Sequence, residues 1–156
     1  MNTTLRTHPA LFPLFWVLAS LSLNGLIFAL GWNDSTTLPL KPSWAPPGWL
    51  VGTLWVVLFA FMGLAHGRLY AAKSAASTWV MALLLSCLVY PLYTVGLQNG
   101  IVGWWGNLFT LILALVVLWQ TRADTTNSWL ILPVVLWLAF ALCLTTSTLH
   151  INTISF

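Results

Sequence analysis

At 156 residues, with 60% hydrophobic and only 4% charged side chains, this chain lacks the polar surface that a soluble domain of its size must present to water. Its mean hydropathy of +0.92 indicates an integral membrane protein. The formal charge of +3 comes from basic residues scattered singly, which excludes a nucleic-acid surface, and continuous apolar runs without period-2 alternation argue against a β-barrel.

A helix needs about 20 residues to cross a hydrocarbon core of about 30 Å. Five segments satisfy this and predict an all-α polytopic membrane protein, a five-transmembrane-helix bundle in one domain over residues 1–156. The spans are residues 11–31, 49–69, 77–96, 101–121 and 128–149. Span one competes with a cleaved signal peptide, but Pro13, Trp16 and Asn24 do not fit a short uniform apolar region with a small-residue cleavage site, so it is read as a mature helix.

The longest connection, Trp32 to Gly48, carries Lys41-Pro42-Ser43-Trp44-Ala45-Pro46-Pro47-Gly48-Trp49. Three prolines stiffen this stretch by fixing φ and removing donors, and Pro46 or Pro47 suits the first turn of the next helix. Such a loop can act as a lid over a membrane cavity. In span two, Trp55, Phe59 and Met62 follow i, i+4, i+7 spacing, a stripe that serves packing more often than a pocket. Gly63 and Gly67 form a small-residue pair suited equally to internal packing and to a dimer face. Gln98-Asn99-Gly100 turns between spans three and four, and Asp124 to Ser128 offers capping side chains before span five. Cys87 and Cys143 fall inside spans and read as apolar filler, while His8, His66 and His150 are dispersed and read as interfacial.

Charge sets an expected orientation. With five spans, Arg6, Arg68, Lys73 and Arg122 share one side and Lys41 alone lies on the other, so the N-terminus is expected to be cytoplasmic, with the Pro/Trp loop and the C-terminal tail on the far side. A bacterial cell membrane is the expected location.

Counting about 1.5 Å per residue from the far side places Tyr90 at about 9 Å, Trp55 at about 10 Å, Asn24 at about 11 Å, Cys87 at about 13 Å and Trp137 at about 18 Å depth. Polar and indole groups thus gather under the loop, with fewer in the cytoplasmic half. Most of the eleven tryptophans lie near interfaces, where an aromatic belt explains them; Trp55 and Trp137 lie too deep for that, and their N–H groups need acceptors. A cavity opening toward the loop, walled by tryptophan and closed by Trp44 to Trp49, is the expected site.

The run Lys-Pro-x-Trp-x-Pro-Pro from Lys41, with Trp55, Leu58-Phe59 and Met62-Gly63, together with Leu132-Pro133, Trp137 and Phe140-Ala141, resembles the TspO/MBR family of tryptophan-rich sensory or translocator proteins. The resemblance implies a five-helix fold, commonly dimeric, that binds porphyrins and benzodiazepine- or isoquinoline-type drugs. It implies that Trp55 and Trp137 flank the ligand, that Ala141 lies against it, and that Pro46 and Pro47 set the lid. Phe59, Tyr90, Cys87, Asn24, Trp44 and Trp49 complete the expected ligand-binding set. Where the family has Asn and Trp in span three, this chain has Cys87 and Tyr90; its span-five Pro-Tyr is here Pro133-Val134.

The function expected is binding of a planar apolar ligand, a porphyrin or haem, in a sensory, regulatory or transport-associated role. No cofactor is required for that. The alternatives are light- or redox-dependent porphyrin degradation and a structural membrane partner without a ligand. A chain with no glutamate and with Asp34 and Asp124 as its acids favours binding over ordinary catalysis. Expected partners are membrane lipid, the planar ligand and, as an open assembly, a second copy; nucleic acid is not among them.

Overall fold

The computed structural model describes residues 11–32, 40–97 and 99–154, and every regular element among them is helical. Five helices are long and apolar enough to cross a membrane: α1 (Leu11–Ala29), α2 (Gly48–Ala71), α3 (Ala76–Pro91, prolonged by a π-helical turn, Leu92–Gly96), α4 (Gly100–Thr121) and α5 (Thr125–Ile154). Helices α2, α3, α4 and α5 close a ring, each packed on the next and α5 back on α2; α1 lies outside it, against α2 and the edge of α3. Arg6, His8, Asp34 and Gln98 lie outside the described residues.

The ends of the helices follow from local chemistry. Helix α1 closes at Gly31 (φ +67°), with the Trp32 amide donating to Ile27 O; α2 closes in the same way at Lys73 (φ 54°), where Ser74 N donates to Leu69 O. Asn99 caps α4 by accepting from Ile101 N and Val102 N, both at 3.1 Å. Pro91 has no N–H to give, so the last turn of span three loosens into the π form, its Leu97 N reaching Leu92 O. This turn was not legible in the apolar run that carries it.

Helix α5 runs from Thr125 to Ile154, longer than the expected 128–149 at both ends. At its start the Asp124 carboxylate accepts from Asn127 N (3.2 Å) and Asn127 Nδ2 (2.8 Å), while Arg68 Nε donates to Asn127 Oδ1 (3.2 Å), tying the end of α2 to the α4–α5 turn. The Arg68–Asp124 ion pair is open to solvent at 4.0 Å and adds little. Asp124→Ala is expected to lower stability by about 1 kcal/mol through loss of the cap; thermal unfolding of the detergent-solubilised protein checks this, and an unchanged midpoint would assign the turn's stability elsewhere.

The core is built mainly from one face of each ring helix: Trp55, Leu58, Phe59, Met62 and Ala65 of α2, Val80, Leu83, Leu84 and Cys87 of α3, Ala114 and Val117 of α4, and Ile131, Val134 and Leu138 of α5. Large apolar side chains such as Phe15, Phe28, Leu85, Phe109 and Leu136 point outward, the arrangement of a bundle solvated by lipid. Gly63 belongs to the internal alternative: a Cβ there would stand 2.7 Å from Pro13 Cα, so α1 crosses α2 at the glycine.

His66 corrects the interfacial reading. It is buried, accepts a hydrogen bond from Trp16 Nε1 at Nδ1 (3.3 Å), and meets Phe12 edge-on. With Ser77, Thr121 and Asn127 also buried toward the end opposite the loop, buried polarity is not confined to the half beneath the loop. The reason is that such groups find partners, across helices as His66 does with Trp16 and Asn127 with Arg68, or within one as Thr121 Oγ1 does on Val117 O (3.0 Å) of its own helix.

Candidate ligand-binding site

Helix α2 turns its Trp55–Phe59–Met62 stripe inward. Trp55 is only 9% exposed, with its ring 6.0 Å from Phe59 and 5.5 Å from Tyr90 of α3. Cys87 is buried in the same core. Tyr90 in turn meets Tyr93 edge-on at 5.4 Å, and the π turn aims the Tyr93 hydroxyl at α4, where it shares a hydrogen bond with Thr110 Oγ1 (3.1 Å). Gly106 faces the Tyr93 ring, which a Cβ at that position would strike. Trp55 therefore seals the α2–α3 seam.

Trp137 occupies a different surface. Its ring stacks on Phe140 at 5.3 Å and 26°, and Phe140 receives Trp44 of the loop at 5.8 Å and 71°. Trp137 and Phe140, with Pro133 and Leu136 of α5 and Leu54 and Leu58 of α2, line an apolar groove of about 310 Å³ between the two helices. The Trp137 Nε1 is buried with no hydrogen-bond acceptor among the described residues. An unpaired buried N–H costs free energy, so an acceptor that met it would be favoured, but as it stands the groove presents a flat apolar wall, the complement of a planar apolar molecule. Ala141 is buried one residue past Phe140, its carbonyl taken by Thr145 Oγ1 (3.0 Å).

The other expected residues divide. The Asn24 side chain lies over Gly52, with Oδ1 3.8 Å from where a Cβ would stand, one turn before Trp55. Pro46 is half-buried; Pro47 is the N-cap of α2, its carbonyl accepting from Leu50 N and Val51 N at 3.0 and 3.3 Å. Trp49, 71% exposed, faces outward with the other interfacial tryptophans.

The geometry departs from the single tryptophan-walled cavity expected. Trp55 and Trp137 belong to separate aromatic clusters, and among the described residues no ring pair joins them. A larger groove, about 740 Å³, opens outward between α3 and α4 along Val89, Tyr93, Trp105 and Phe109, across the ring from the α2–α5 groove. Depth counting carries no azimuth, so it could not tell that Trp55 turns toward α3 and Trp137 toward the groove. Phe140, the platform joining Trp44 to Trp137, was not singled out as a site residue, although its i+3 spacing from Trp137 puts both on one face.

A second unforeseen residue is Asn152 near the end of α5. Its side chain accepts from Leu40 N (3.2 Å) and donates from Nδ2 to Leu40 O (2.9 Å), joining the start of the Pro/Trp stretch to the last helix.

Comparison with known proteins bears on the same stretch of chain. The TspO/MBR family profile matches residues 11–150. The tryptophan-rich protein TspO of Chlorobaculum tepidum is 27% identical over 145 residues, covering 82% of this chain and 92% of its own. The tryptophan-rich protein TspO of Bacillus cereus is 27% identical over 126 residues, 78% and 80% of the two chains. An uncharacterized membrane protein of Bacillus subtilis, YtaB, is 33% identical over 107 residues, 65% of this chain and 69% of its own.

Proposed function

This chain belongs to the TspO/MBR family, and from that premise we propose that it is a membrane receptor for a planar apolar ligand of the porphyrin class, held between α2 and α5 at the loop end of the bundle. The carrying observation is Trp137, stacked on Phe140 beneath Trp44 with its indole N–H buried and unpaired. A tetrapyrrole supplies a flat apolar face for the rings and, once the Trp137 ring turns its edge into the groove, a carboxylate or ring-nitrogen acceptor for the N–H. Arg68, Lys73 and Arg122 at one end of the bundle and Lys41 at the other support an orientation with the Pro/Trp loop facing away from the cytoplasm.

The test is a titration of the purified protein in detergent with protoporphyrin IX, read as quenching of tryptophan fluorescence and repeated with Trp137→Phe. Phenylalanine keeps an aromatic ring and deletes the donor. Saturable quenching by the parent, weakened roughly three- to tenfold in the variant, is the expected result for one lost hydrogen bond. The variant should melt no lower, because it removes an unsatisfied buried group. Parent and variant binding equally well would remove Trp137 from the site, and a folded parent that never saturates would overturn the porphyrin reading.

A further inference from the structure

We propose that Asn152 is a positioning residue for the loop: by clasping the backbone of Leu40 it holds Trp44 over Phe140 and sets how fast a ligand enters and leaves the α2–α5 groove. The inference rests on the reading that a planar ligand occupies that groove.

The amide of Asn152 faces one donor and two acceptors. Leu40 N donates to Oδ1 at 3.2 Å, and Nδ2 donates both to Leu40 O at 2.9 Å and to Thr148 O one turn back at 2.7 Å. A flipped amide would set oxygen against two carbonyls and NH₂ against an N–H, so the partners fix its orientation. Thr148 O anchors the amide to α5, and the remaining acceptor and donor answer both backbone groups of Leu40, as a neighbouring strand would. An aspartate can accept but not donate; an alanine can do neither.

The chain after Leu40 is built to transmit that hold. Pro42 is buried and its carbonyl accepts from Ala45 N at 2.9 Å, closing a tight turn that contains Trp44. Pro46 follows, and Pro47 caps α2. Between the clasp and the helix the segment has three prolines and little backbone freedom, so a displacement of Leu40 displaces Trp44 from Phe140. Leu40 itself is exposed. Hydrogen bonds made where water competes are weak, and two of them make a fastening that opens on its own rather than a permanent tie.

The experiment compares the full-length parent, Asn152→Asp and Asn152→Ala, each in a Cys143→Ser background with a nitroxide label on Ser43→Cys. Label mobility reports the loop without any ligand; stopped-flow quenching with protoporphyrin IX reports association and dissociation; thermal unfolding confirms equal folding. Asn152→Ala is expected to mobilise the label and to raise both rate constants about tenfold, while Kd changes less than about threefold, two modest hydrogen bonds having been lost from the closed loop. Asn152→Asp keeps an acceptor for Leu40 N but sets a carboxylate oxygen against the Leu40 and Thr148 carbonyls, so it should loosen the loop at least as much as Asn152→Ala. A merely structural role would move the melting point and leave the rates together. An immobile label in Asn152→Ala overturns the clasp. A mobile label with unchanged rates, in a parent that binds porphyrin, overturns its control of access. A mobile label in a parent that binds no porphyrin overturns instead the receptor reading on which that control depends.

Discussion

Gly63→Leu is expected to detach α1 from the bundle and to cost at least about 1–3 kcal/mol, the range for overpacking a contact that cannot relax. The obstacle is backbone: a Cβ at this position already stands 2.7 Å from Pro13 Cα and 3.2 Å from Phe12 O, before the rest of the leucine is placed. Flexible side chains yield to such a clash, but a helix backbone must move as a body. Helix α1 has little else to resist with, since most of its surface faces lipid and its buried residues are Trp16 and Ser20. A buried side-chain hydrogen bond to α2, Trp16 to His66, lies close to the same crossing. The variant should therefore melt earlier and free the Trp16 indole from His66, shifting its fluorescence. A midpoint equal to the parent's would mean that α1 does not cross α2 at Gly63. Gly63→Ala supplies the graded control, with a smaller loss.

The five spans were legible because lipid demands about 20 apolar residues per helix, and each of the five runs meets that demand. What hydropathy reads is the membrane's thickness, not the helix's length. The polar residues His150, Asn152 and Thr153 end the apolar run of span five, yet α5 continues through them to Ile154, which is how Asn152 comes to meet Leu40. The π turn after Pro91 was hidden because hydropathy carries no hydrogen-bond register, and Pro91 is the residue in that stretch that signals a break. Composition and depth also say nothing of which face each of the expected site residues turns. Trp44 does reach the last helix, through Phe140. Tyr90 does meet Trp55, through ring contact at 5.5 Å. That these are two clusters rather than one pocket depends on helix rotation, which a run of apolar residues on all sides cannot encode. His66 was misread for a related reason: a lone histidine near a span's end looks interfacial, and its partner Trp16 lies 50 residues away in sequence.

Trp55→Ala is expected to be the most damaging single change on α2, costing about 3–5 kcal/mol, the usual range for emptying a buried aromatic site. Trp55 fills the seam between Phe59 and Tyr90, and neither ring can follow the deleted indole without leaving its own contact, Phe59 in the core and Tyr90 against Tyr93. For a chain of this size the loss corresponds to a fall in Tm of roughly 6–20 °C. Trp55→Phe, which keeps a ring in the seam, should lose much less. This expectation also decides how binding data on the two deep tryptophans are to be read. Weaker porphyrin binding by Trp55→Ala follows from a loosened α2–α3 seam, whereas weaker binding by Trp137→Phe, with the fold intact, reports the wall of the groove itself. A Trp55→Ala protein that melts with the parent while losing its ligand would reverse the assignment. It would turn Trp55 out of the core and place it beside Trp137 on the ligand.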